Sequence, residues 1–134
     1  MALVHKAPFG QTVRTFTAVA TAAVGSLNTD TPTNTVLLAT AGPEGLTINR
    51  LTAMTRATNT ALALYVFLSK NGTTKHLIMS KMAPAHTVAA TTEIPVVEFD
   101  VSALEDERLE AGDQLFVGIG ATGSIVFRGS GMDY

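Results

Sequence analysis

The chain has 134 residues, room for one hydrophobic core and not for two, with 46 % hydrophobic and only 15 % charged residues. That apolar share excludes a disordered chain, and the absence of cysteine excludes a disulfide scaffold, an iron–sulfur cluster, a zinc ribbon and a thiol nucleophile. A formal charge of −2 lacks the basic excess of a general nucleic-acid binder, so no nucleic-acid partner is expected.

Residues 1–11 lack the basic start, apolar stretch and cleavage site of a secretory signal, and the chain reads as mature from residue 1. They hold Leu3, Val4, His5, Lys6, Pro8 and Phe9, with Pro8 interrupting any regular pairing, and so read as an arm ahead of a β-sandwich domain at 12–134. Apolar side chains on an arm are unfavourable in water unless they dock, which marks these six residues as expected contacts with a partner or a sister copy.

Threonine (20 residues) favours strands and alanine (19) favours helices, so periodicity has to decide between them. Strands are predicted at Thr12–Ala20, Thr35–Thr40 and Leu46–Arg56. In the last of these the apolar phase slips between Ile48 and Leu51, which predicts a bulge near Asn49 and Arg50. The run from Ala61 to Leu68 is apolar at both odd and even positions, as in a central strand covered on both faces, and is far shorter than the roughly 18–20 residues of a membrane span. Asn71-Gly72 predicts a tight hairpin into an antiparallel strand over Thr73–Met82. Ile94–Asp100, Gln114–Ile119 and Ser124–Arg128 complete the set, and Gly129–Tyr134 reads as a flexible end whose aromatic can dock on a surface. Short strands spaced about 10–15 residues apart, separated by Gly, Pro and Asn, are the form of an all-β sandwich or barrel.

Motifs that promise chemistry fail on context. Gly118-Ile-Gly120-Ala-Thr-Gly123 has the letters of a dinucleotide-binding loop, but Ser124–Arg128 reads as a strand where that loop needs a helix. The glycines are read as a hairpin turn between the last two strands, and no cofactor is expected. His5, His76 and His86 have no ligand spacing, and the acidic run Glu105-Asp106-Glu107 lacks the alternation of a calcium loop, so no metal is expected. Ser80, His86 and Asp100 supply the residue types of a hydrolytic triad with no nucleophile motif, and the chain is read as not an enzyme. Charge is unevenly placed: residues 93–113 hold eight of the eleven acids against Arg108 alone, a loop region suited to a basic neighbour or simply to solvent.

Four stretches carry a family resemblance: Val36-Leu-Leu-Ala-Thr-Ala41, Arg56-Ala-Thr-Asn-Thr-Ala-Leu-Ala-Leu-Tyr-Val-Phe-Leu68, Leu109-Glu-Ala-Gly-Asp-Gln-Leu-Phe-Val-Gly118 and Gly131-Met-Asp-Tyr134. In these the chain resembles the capsid decoration, or cement, proteins of tailed bacteriophages. The resemblance implies a jelly-roll-like β-sandwich, made in the host bacterial cytoplasm, that sits on the outer surface of the virion as a homodimer or homotrimer. Its partners would be the major capsid protein and itself, with no membrane. Arg50, Arg56, Met132 and Tyr134 join the arm as expected contact residues. Two other readings stand beside this one: a carbohydrate-binding or adhesion module of a phage tail or fibre, and a head–tail joining component.

Overall fold

The computed structural model describes residues 12–102, 104 and 108–134. The arm residues Leu3, Val4, His5, Lys6, Pro8 and Phe9 and the acidic run 105–107 lie outside the described residues. Eight strands follow in chain order: β1 Thr12–Ala20, β2 Val36–Thr40, β3 Leu46–Thr55, β4 Leu62–Ser69, β5 His76–Ala83, β6 Val97–Glu98, β7 Gln114–Ile119 and β8 Ile125–Asp133.

They form two antiparallel four-stranded sheets, ordered β1-β8-β3-β6 (sheet A) and β2-β7-β4-β5 (sheet B). The pairs β1·β8, β2·β7, β3·β6 and β4·β5 are those of one long hairpin folded at its middle, and β3·β8 and β4·β7 join when that ribbon rolls up. This is the topology of the jelly-roll sandwich. Rolling places the connections 21–35, 56–61, 84–96 and 120–124 at one end, where Arg56 N–H donates to Ser124 and Gly123 N–H to Thr21. The connections 41–45, 70–75 and 99–113 meet at the other, where Ala41 N–H donates to Asp113 and Tyr134 N–H to Gly45.

The core is the inward half of each alternating strand: Phe16, Ala18 and Ala20 from β1, Leu51 and Ala53 from β3, Leu64 and Val66 from β4, Val117 and Ile119 from β7, and Ile125 and Phe127 from β8. Burial of this apolar surface is what drives the two sheets together. At the second end Arg14 stacks on the ring of Phe16 and donates to the Thr40 carbonyl at 2.9 Å and to Asp133 at 3.2 Å, tying β1 to β2 across the sandwich.

The expected bulge is present: β3 shifts register against β8 between Ile48 and Arg50. Three expectations need correction. Asn71-Gly72 does not make a tight two-residue turn. Asn71 stays out of the left-handed region, and its Oδ1 accepts from the N–H groups of Thr73 and Thr74, capping a longer connection. Gly120–Gly123 is not a hairpin turn, because β7 lies in sheet B and β8 in sheet A; the segment is a corner between sheets. Gly129–Tyr134 is not a flexible end but the second half of β8, paired on both sides as far as Asp133. Gly131 allows this, since a Cβ there would collide with the Thr47 carbonyl where the bulge brings β3 close.

Candidate functional site

The two outer sheet faces differ. Over sheet B the 21–35 connection runs from one end of the sandwich to the other: Val24 N–H donates to Ile119 at 2.8 Å, and Lys75 N–H donates to Asp30 at 2.8 Å. Phe67 points outward from β4, yet it is 1 % exposed, because Val24 packs over the bare backbone of Gly118 beside it. Lys75 covers the Phe116 ring at 4.4 Å. The doubly apolar strand read from Ala61–Leu68 is therefore covered on both faces, inside by the core and outside by this connection.

No described segment covers sheet A in that way. Its outward residues stand in register rows across the strands: Val13 beside Met132 and Thr47, Thr15 beside Ser130 and Arg50, Thr17 beside Arg128, Thr52 and Glu98, and Val19 beside Val126 and Met54. Val13 and Val96 remain 66 % and 53 % exposed, which sets this face apart from the buried inner one. A cavity of about 310 Å³ there is lined by residues that include Thr15, Thr52, Met54, Val126, Arg128 and Ser130.

The electrostatics of the face are simple. Arg50 pairs with Glu98 at 3.3 Å, both well exposed, and Thr52 Oγ1 donates to the Arg128 carbonyl at 3.5 Å. Arg128 sits at the centre with hydroxyl groups on either side, an arrangement that receives a carboxylate through the forked donors of a guanidinium. Apolar Met54, Val126 and Val96 at one end supply contact area that needs no charge.

The expected contact residues are thus only partly brought together. Arg50 and Met132 share the outer face of sheet A, with Met132 half-buried between Val13 and Thr47. Arg56 lies past the end of β3, exposed at the 56–61 connection. Tyr134 is half-exposed and packs against its own domain. Its ring lies 3.5 Å beneath the Arg108 guanidinium and its hydroxyl is 3.5 Å from Thr47 Oγ1, so it docks on its own domain. Sequence reasoning missed Thr15, Thr52, Val96, Val126 and Arg128. The alternation Val126-Phe127-Arg128 carried the signal for two of them, since Phe127 inward forces its neighbours outward.

The acidic segment 93–113 does not form one free negative surface among the described residues. Glu98 serves Arg50, and Lys70 Nζ lies 2.7 Å from Asp113 and 3.7 Å from Glu110. Its hydrogen bond to Asp113 is the main cause that raises the Lys70 pKa. Asp100 accepts from Ser102 N–H at 3.1 Å, which lowers its pKa. His86 bridges Asn59 at one end of the sandwich while Asp100 caps Ser102 beyond β6 and Ser80 lies exposed on β5, so the three form no described constellation. No three His, Asp or Glu side chains gather as a metal site among the described residues, and no helix among them is long and apolar enough to cross a membrane. Neither protein-family models nor curated proteins yield a match to this chain.

Proposed function

We propose that this chain is a structural virion protein that binds the outer surface of a tailed-phage capsid and reinforces it by bridging neighbouring coat subunits. It acts without catalysis and is made in the bacterial cytoplasm before joining the virion. The observation that carries this reading is the outer face of sheet A: no described segment crosses it, it is apolar at its ends and it carries Arg50 and Arg128 between them, whereas the 21–35 connection lies across part of sheet B. A bare surface of mixed apolar and charged side chains is the form of a docking face. Many such contacts, each modest, act together when a stiff domain touches two coat subunits, because release of one leaves the other holding the first at high local concentration. Residues 1–11 would add the apolar side chains of Leu3, Val4, Pro8 and Phe9 to the contact with coat or a sister subunit.

The test is binding of the full chain to purified shells of the phage that encodes it. Arg128→Glu with Arg50→Glu is expected to lower shell affinity about tenfold or more, with weaker binding at high salt for the unaltered chain. Removal of residues 1–11 is expected to lower it as well. Unchanged binding by both variants contradicts the reading. The cavity beside Arg128, lined by Thr15, Thr52 and Ser130 hydroxyls, gives the adhesion-module reading a foothold, and it predicts binding of an acidic glycan that Arg128→Glu abolishes in the absence of any shell.

A further inference from the structure

The charged side chains on the outer face of sheet A are Arg50, Arg128 and Glu98, and they are not equivalent. Arg50 and Glu98 answer one another at 3.3 Å, so that pair offers little net charge to a partner. Arg128 has no such answer. It is exposed on β8, and no described carboxylate lies within ion-pair reach of it. Its neighbours in register are Thr17 on β1 and Thr52 on β3, and the outward positions of β1 offer only valine and threonine. The cavity of about 310 Å³ has Arg50 and Arg128 as its only charged lining residues, with threonine and serine hydroxyls and apolar Met54 and Val126 in the rest of its wall.

We infer that Arg128 is the anchor of this face and takes one aspartate or glutamate side chain from an extended segment of the protein on which sheet A docks. The inference rests on the docking reading above and names the chemistry of its partner. Charge selects a single carboxylate. Two arginines against Glu98 leave one positive charge unmatched on the face, which one carboxylate neutralises. A phosphate or a run of acids brings more negative charge than is left to match and sets the surplus beside Glu98. The guanidinium fork can hold both carboxylate oxygens, and Arg50 with Glu98 is an arginine–carboxylate pair already formed on the same face. Spacing then sets the rest of the segment. Outward residues on β8 recur every second position as Ser130, Arg128 and Val126, and Val126 stands beside Met54. A segment extended along β8 with its acid over Arg128 therefore lays its next same-face side chain, two residues away, over Val126 and Met54. That side chain should be apolar, which a sugar acid does not supply.

The experiment uses the full chain and, as probe, a blocked tripeptide of glutamate, serine and leucine, with its glutamine counterpart as control. Titrated to millimolar concentration and followed by NMR, the glutamate peptide is expected to shift the Arg128 side-chain N–H and the amides of 126–130, and to bind at least about fivefold more tightly than the glutamine peptide. Arg128→Gln, at an exposed position that leaves the core untouched, is expected to weaken the glutamate peptide about tenfold. Arg50→Gln made together with Glu98→Gln removes the internal pair without changing the net charge, and is expected to alter binding by less than about threefold. On purified shells, Arg128→Gln alone is expected to lower affinity about tenfold. No shift from either peptide, equal binding of the two, or a loss in the Arg50 and Glu98 double variant as large as in Arg128→Gln overturns the inference. Tighter binding of glucuronate than of the peptide also overturns it, by assigning the site to a glycan. Shell binding that Arg128→Gln leaves unchanged overturns it while the docking reading stands. An unaltered chain that binds the glutamate peptide through Arg128 but binds no shell upholds the carboxylate site and contradicts only the docking reading.

Discussion

Asp113 shows how one residue holds the end of the sandwich together. Its side chain is almost fully buried, accepts from Lys70 Nζ at 2.7 Å and from Glu110 N–H at 3.0 Å, and its backbone carbonyl receives Ala41 N–H. Asp113→Ala removes two charge-assisted hydrogen bonds and is expected to cost about 2–3 kcal/mol in urea unfolding. Because the Asp113 hydrogen bond raises the Lys70 pKa, this contribution is whole below the ordinary lysine value of 10.5 and fades as pH climbs through the higher folded-state value. An alkaline unfolding series should show that loss in the unaltered chain and not in Lys70→Met. Asp100 works in the opposite sense. Its pKa is lowered chiefly by the backbone hydrogen bond from Ser102, so its contribution is present above 3.8 and fades as pH falls through the lower folded value. At this scale the sequence told little: Leu109-Glu-Ala-Gly-Asp113 reads as a turn, but nothing local says that Lys70, 43 residues away, reaches its aspartate.

Among elements, the 21–35 connection does what sequence reading assigned to nothing. Its Asn28–Asn34 stretch reads as ordinary turn-rich sequence; its role comes from Val24 lying over Gly118 beside Phe67, which periodicity cannot see. Strands with clean alternation were legible nearly to the residue, as in β1 and β7, because the apolar inner face repeats every second position. β8 was cut short at Arg128 because glycines weigh against strand, and only tertiary approach at Gly131 explains why they belong there. β6 shrank from the expected seven residues to Val97–Glu98, with Pro95 unable to donate to a ladder. Gly118→Val tests the covering role. Its side chain would take the place of Val24, lifting the connection from Phe67, at an expected cost of about 1–3 kcal/mol. Hydrogen exchange should show amides around Val24 opening faster while β1 and β8 keep their protection. Unchanged exchange at Val24 would mean that the connection is held by other contacts.

For the whole molecule, the jelly roll follows from pairing a folded ribbon and rolling it, and the all-β class was readable from strand spacing alone. What spacing does not encode is which sheet keeps a bare face, since that depends on where a loop chooses to lie. The placement of the expected contact residues was therefore only half legible: Arg50 and Met132 share the outer face of sheet A, whereas Tyr134 packs under Arg108 on its own domain. A sheet A face that no described segment crosses, with Arg128 at its centre, is the central element of the capsid-binding account. Electron cryo-microscopy of the phage particle that carries this chain tests it most directly. The account predicts density for the jelly roll outside the shell with the β1-β8-β3-β6 face against two coat subunits. Density confined to the tail or portal, or a shell-bound domain with that face turned to solvent, would contradict it.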